Sequence, residues 1–249
     1  MALWRADGET LFTTEVTFLT PPYLQNVSTD SIVIMTEAKQ KVPLEVVYGR
    51  TEQFSLTAPM ERVASGGGTW FYRALLTGLM AETEYHYAIR CEGGDPLTDH
   101  AHFHTAPGRE VDFKFSAWSD TQGHNGGAWM EDPLEPTMRM MKHMVQAGVS
   151  FGLTTGDLAE DGASYSDTRD YYLKRVATHL GSSVPYFAAW GNHDSSKSTA
   201  PLRLASDMPS RYRAGFSPGH GSFSFVYSNC FFVCLDEFFK REITNGWLE

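Results

Sequence analysis

The chain has 249 residues, 42% of them hydrophobic, 20% charged and 13% aromatic, and its 30 acidic and 20 basic side chains give a formal net charge of −10. That length fits one large domain or two small ones, and that composition supports a packed core and excludes a disordered chain. The negative balance, with no Lys/Arg cluster to offset it, excludes a nonspecific nucleic-acid partner, because a phosphate backbone needs the opposite sign.

The chain opens on MALWRADGETLF, which lacks the basic-then-apolar pattern of a secretory signal. The longest apolar run, near Cys230–Leu235, is too short for a bilayer, so no membrane partner is expected. From Thr17 to about Thr105 the sequence reads as short strands between turns: SIVIMTEA, LEVVYG, TWFYRALLTGL, TEYHYAIRCEGG and TDHAHFHTAP. Alternating β-branched and aromatic residues, punctuated by Asp, Asn and Gly, predict an antiparallel sandwich over residues 17–106 behind an extension at 1–16. Gly66-Gly67-Gly68 has no following Lys-Ser/Thr and lies between strands, which makes it a hairpin turn rather than a phosphate loop. His100, His102 and His104 alternate along one predicted strand face; an exposed sheet face accounts for them, since no fourth metal donor is in view. Asn26-Val27-Ser28 has the form of a glycosylation sequon.

At APGREVD, residues 106–112, the pattern changes. Strands are predicted at 111–118, 149–155 and 184–190, with helices at about 134–147 and 164–180 between them, a βαβαβ order that implies a parallel sheet. Pro136 suits a first helical turn, and Met138, Met141 and Val145 share one predicted core face. GSFSFVYS and CFFVCLDEF then read as a hairpin. Cys230 and Cys234 lie in one strand, about 13 Å apart, so they cannot bridge, and the chain's three cysteines are expected as buried thiols. No Ser or Cys nucleophile motif occurs.

Three polar clusters end three successive strands: FSAWSDTQGHN, FGLTTGDLAEDG and FAAWGNHDSS. Loops at the carboxyl ends of parallel strands converge, so Asp120, Asp157 and Asn192 are expected to meet. Two carboxylates and an amide oxygen form a hard donor set for Mn, Zn or Fe, possibly with Mg, and a cation relieves their mutual repulsion. His193 then faces the substrate, neutralising developing charge or protonating the leaving oxygen. His124 is either a substrate contact or a solvated loop residue.

SDTQ, GDLAEDG and GNHD, in that order, resemble the first three motifs of the calcineurin-like metallophosphoesterases, D-x-(H/G/Q), GD and GNH(D/E). The segment from PPYLQNVSTDSIVIMTEA to HFHTAP resembles the fibronectin type III-like module that precedes the catalytic domain in purple acid phosphatases. Together these imply an all-β sandwich followed by an α/β region, a partial calcineurin-like αββα sandwich over residues 111–249. They also imply hydrolysis of phosphate mono- or diesters through two divalent or trivalent metal ions, and, from the habit of such relatives, export. By the resemblance Asp120 binds the first metal, Asp157 bridges, Asn192 binds the second and His193 serves the phosphate ester. Gln122 stands where relatives carry His or Gly, and Glu160 stands where purple acid phosphatases carry the iron-binding Tyr; each is a metal ligand or an outer partner. That substitution implies no tyrosinate-to-iron colour. After His193 the sequence holds only His220, in SPGHGSFSF, and neither a V-x-x-H nor a G-H-x-H motif. The resemblance therefore implies a domain that stops partway, with impaired turnover. The alternative expectation is a non-catalytic binding module whose phosphoesterase region is vestigial.

Overall fold

The computed structural model describes residues 2–4, 10–12, 15–65, 67–122, 131–195, 200–208 and 222–235. His124, His220, Gly66 and the closing residues 236–249, all part of the sequence reading, lie outside the described residues. A small antiparallel pair, β1 (Ala2–Trp4) and β2 (Thr10–Phe12), comes first. Then follow β3 (Phe18–Gln25), β4 (Ser31–Ala38), β5 (Leu44–Gly49), β6 (Leu56–Pro59), β7 (Glu61–Ala64), β8 (Trp70–Thr77), β9 (Glu84–Cys91) and β10 (Ala101–His104). One sheet runs β10-β9-β5-β6; its partner contains β3-β4-β8-β7, and the two enclose Ile32, Ile34, Val46, Tyr72, Tyr87, Ile89 and Phe103. Tyr85 is buried, and its hydroxyl accepts the Met80 backbone N–H at 3.0 Å, which ties the β8–β9 corner to the strand that follows. Gly67 and Gly68 lie in the β7–β8 hairpin, where Ala64 pairs with Trp70.

Beyond the sandwich come β11 (Phe115–Trp118), α1 (Glu131–Gln146), β12 (Phe151–Thr154), a helical run over residues 165–181 and β13 (Tyr186–Ala188). The strands are shorter than the sequence reading, β12 and β13 at both ends and β11 at its start. β11, β12 and β13 are mutually parallel, as the βαβαβ order predicts. Ser164 caps the run, its hydroxyl accepting the Asp167 N–H at 3.2 Å. Within the run, Thr168–Leu173 and Ala177–Gly181 are π-helical, which brings Tyr172, Leu173, Val176, Ala177 and Leu180 onto one buried face.

Two details depart from expectation. Pro136 falls in the interior of α1, because the helix begins at Glu131. Met141 is buried with Met140 and Met144 packed beside the core, whereas Val145 is exposed: the packed face is narrower than the apolar pattern. All three cysteines are free; Cys234 is buried, but Cys91 is only partly so and Cys230 is exposed at the hairpin turn.

The parallel sheet is covered on both faces. Phe115, Phe151 and Phe187 point toward the hairpin of β14 (Phe223–Tyr227) and β15 (Cys230–Cys234), where Phe187 stacks on Phe225 with ring centroids 3.7 Å apart and Phe225 on Phe232 at 4.9 Å. Trp118, Gly152 and Tyr186 point the other way, toward the helical run: Leu180 lies against Gly152, and Tyr172 meets Tyr186 edge-on. These helix, sheet and hairpin layers constitute the expected partial αββα arrangement. No helix among the described residues is long and apolar enough to cross a membrane.

One connection was not legible in the sequence. β13 also pairs with β3, in parallel, through Tyr186 and Gln25, so the seven strands β11-β12-β13-β3-β4-β8-β7 form one sheet. Pro21 and Pro22 explain why this pairing is confined to the end of β3: neither offers an N–H, and the β3–β4 register shifts around them. The Tyr23 hydroxyl donates to the Ala205 carbonyl at 2.9 Å and that of Tyr87 to the Ser182 carbonyl at 2.8 Å. Asn26 Nδ2 donates to Asp207 at 3.1 Å, so the sequon amide is engaged within the fold.

Candidate functional site

The three motif loops follow β11, β12 and β13 and are joined by hydrogen bonds of their backbone N–H groups. Asp120 N–H donates to the Gly156 carbonyl at 3.2 Å, and Gln122 N–H to the Asp157 carbonyl at 3.1 Å. The His193 N–H donates to Asp157 Oδ1 at 3.0 Å, linking the second loop to the third. Asp120 and Asp157 both adopt left-handed backbone, φ 57° and 51°, a conformation Asp tolerates better than most residues and one that turns each side chain abruptly out of its strand.

Glycine sets the spacing. A Cβ on Gly156 would lie 2.4 Å from the Gly191 nitrogen, and one on Gly191 would lie 2.2 Å from Asp157 Oδ1. The glycines of GD and GN face each other across van der Waals contact, so the two loops close to a distance no other residue permits. Asp157 and Asn192 thereby line one cavity of about 310 Å³, with Ser119, Thr155, Gly156, Trp190, Gly191 and Leu235. Asp120, exposed, directly follows the Ser119 wall. Asn192 begins a single helical turn, Asn192–Ser195, instead of extending the strand.

His193 is turned toward Glu160. Its Nδ1 lies 3.0 Å from the Glu160 carbonyl oxygen and 3.7 Å from the Glu160 carboxylate. That carbonyl contact raises the His193 pKa above the ordinary histidine value, helped by the charges of Asp157, Glu160 and Asp194 and opposed by burial. Glu160 thus faces the imidazole. Gln122 is partly buried, and its Oε1 has no hydrogen-bond partner. A buried amide oxygen left without a donor suits a hard cation.

Two functional positions escaped the sequence reading. Asp194 is fully buried and accepts the N–H groups of Leu158 at 2.9 Å, Ala159 at 3.1 Å and Gly191 at 2.8 Å, holding the GD loop to the GNHD loop. Burial pushes its carboxyl up to about 6 against the downward pull of those three donors. Arg175, buried in the helical run, donates from Nη1 to the Thr121 carbonyl at 2.7 Å and so steadies the first loop; burial lowers its guanidinium to about 10. The fourth position of GNHD was one signal for Asp194. Nothing local marks Arg175, which reaches its partner across 54 residues of chain.

The donors that could be offered to a metal are the oxygens of Asp120, Asp157, Asn192 and Gln122. They fit the ligand chemistry of a hard ion but do not fill the shells of two, and among the described residues no group of three or more His, Cys, Asp or Glu side chains is gathered to hold an ion.

No curated protein sequence matches the chain. Among solved structures, the sensor domain of the anti-sigma factor RsgI4 of Pseudobacteroides cellulosolvens overlaps 39% of this chain and 94% of its own, at 11% identity and a TM-score of 0.30. A computationally redesigned β-sandwich protein overlaps 36% and 98% at 19% identity and 0.26. Astrotactin-2, described as a vertebrate-specific, perforin-like membrane protein, overlaps 82% of this chain and 41% of its own at 9% identity and 0.30. Overlaps of that quality carry no argument about fold or function. The sequence profile of the calcineurin-like phosphoesterases matches residues 113–244, more than half of the molecule and every one of the three motif loops. The chain therefore belongs to the calcineurin-like phosphoesterase family.

Proposed function

We propose that the chain is a metal-dependent phosphoesterase region, residues 111–249, carried behind a fibronectin III-like sandwich of the purple acid phosphatase kind, residues 17–106, with residues 1–16 as an extension. The observation that carries this is the convergence of the Asp157 and Asn192 loops on one cavity, with Asp120 next in sequence to Ser119 of its wall. The Tyr85 corner supports the fibronectin III-like reading of the sandwich. Asp120, Asp157 and Asn192 would hold the metal, with Gln122 and Glu160 beside them. A bound ion would neutralise the phosphate ester and polarise its phosphoryl group. His193, its pKa raised by the Glu160 carbonyl, holds a proton over a wider pH range and delivers charge or that proton to the leaving oxygen. Asp194 and Arg175 position the loops and do not touch the substrate.

These donors support weak metal binding and slow turnover of p-nitrophenyl phosphate. Calorimetric titration with Mn²⁺ tests this, with weak binding expected in the native chain and loss of it in Asp157→Asn. Robust Mn- or Zn-dependent hydrolysis would overturn the partial-site claim, and Mn²⁺ binding indifferent to Asp157 would overturn the site. The second reading is a non-catalytic binding module, favoured by the lack of a gathered metal cluster among the described residues. Under that reading the Asp157 variant and the native chain behave alike in both assays.

A further inference from the structure

We propose that the outer face of β9 and β10 is a binding site for one zinc-class divalent cation, formed by Glu84, His86, His102 and His104. In the antiparallel ladder His102 lies directly opposite His86, and His104 directly opposite Glu84. Residues opposed in such a ladder share a face, as do residues two apart on one strand, so the four side chains occupy the corners of one square. The other face of the same strands is the core, where Tyr85, Tyr87 and Phe103 are buried.

The square is already drawn together. The Glu84 carboxylate is wedged between two rings, Oε1 3.4 Å from His86 Nε2 and Oε2 3.3 Å from His104 Nε2. The His102 ring centroid stands 6.5 Å from that of His86 and 6.4 Å from that of His104. In these positions the four do not enclose a common point. Glu84, His102 and His104 are exposed, and exposed side chains change rotamer within nanoseconds. An ion entering here would be held once the rings and the carboxylate turn inward around it.

Three imidazoles and one carboxylate complete a tetrahedral shell, and nitrogen-rich donors select Zn, Ni or Cu over the Mg and Ca that oxygen sets prefer. His102 and His104 also border a groove of about 420 Å³ whose wall includes Glu82, paired with Arg109, and the exposed Asp112, whose charge favours cations locally. None of these residues belongs to the motif loops. His100, expected on the same exposed face, is outside the strand and packs edge-on against Phe54 with centroids 4.7 Å apart; the third histidine of the cluster is His86, on the neighbouring strand. β10 is a four-residue strand at the edge of its sheet, so an ion held here would clip β10 to β9.

Calorimetric titration with ZnCl₂ of a chain carrying Asp120→Asn and Asp157→Asn separates this site from the phosphoesterase loops. One equivalent should bind, with a rise in Tm. His86→Ala, His102→Ala and His104→Ala should each weaken binding at least about tenfold, whereas His100→Ala should leave it unchanged. If the double Asn variant fails to fold, the same four histidine variants are compared in the native chain. Absence of saturable Zn²⁺ binding, or binding that the His86, His102 and His104 variants do not alter, overturns the proposal.

Discussion

Asp194 has no exposed surface, yet it carries a carboxylate whose oxygens accept three backbone donors from two different loops. Asp194→Ala leaves the N–H groups of Leu158, Ala159 and Gly191 buried and unpaired, at about 1–3 kcal/mol for each unmet group. The expected result is a loss of about 3 kcal/mol or more in denaturant unfolding; a change below 1 kcal/mol would show that the loops hold without it. Gly191→Ala acts by another route. Its methyl group would collide with Asp157 Oδ1 and the Asp157 nitrogen, so the loops must separate. Mn²⁺ binding should fall while the far-UV circular dichroism stays native, and native-strength binding in this variant would contradict the close approach as a requirement. The motifs made these loops legible, because GD and GNHD are contiguous in sequence. The pairing of Gly156 with Gly191 and of Arg175 with Thr121 was not legible, since each depends on elements brought together only by the fold.

At the scale of elements, the β14–β15 hairpin shows how local pattern and tertiary packing divide the information. Alternation in FSFVY foretold a strand, and the structure uses that alternation: Phe223, Phe225 and Tyr227 face inward, while Val226 is exposed. Which surface the inner face would meet was not written in the pattern. Phe225 bridges the layers, stacked on Phe187 and on Phe232 and edge-on to Phe151 at 5.4 Å. Phe225→Ala should cost about 3–5 kcal/mol, as large aromatic truncations in packed cores do. Phe231→Ala, at an exposed position of the same hairpin, should stay within about 0.5 kcal/mol. Equal effects would mean that the hairpin is not seated on the sheet. In the helical run 165–181, which packs against the sandwich strand β3, the approximate limits were legible in the sequence and the π-helical turns were not.

Across the whole molecule, buried and half-buried polar groups join sandwich to phosphoesterase region. Glu37 on β4 is buried, receives the Thr69 hydroxyl and lies 3.9 Å from Arg169 of the helical run. Arg73 on β8 pairs with Asp207, whose N–H donates to Gln25. Burial raises the Glu37 pKa above its ordinary 4.5, while Thr69 and Arg169 pull it down and fall short. An acid with a higher pKa folded than unfolded favours the fold when protonated. Its contribution is therefore fully present below pH 4.5 and is lost as pH rises through the higher folded value. Glu37→Gln should show no such loss: its stability relative to the native chain should climb from pH 4.5 toward pH 7 in urea titrations. A difference that stays flat across that range would remove Glu37 as the source.

The pairing of Tyr186 with Gln25 also bears on the order in which the molecule is made. Chains emerge from the ribosome N-terminus first, and domains tend to fold as they emerge. β3 is complete about 160 residues before β13 is synthesised. The sandwich can thus stand as a finished template, presenting the end of β3 to the last parallel strand and fixing where the Asn192–His193 turn emerges. A phosphoesterase region produced without its sandwich would have to find that position unaided, with one strand edge bare and prone to self-association.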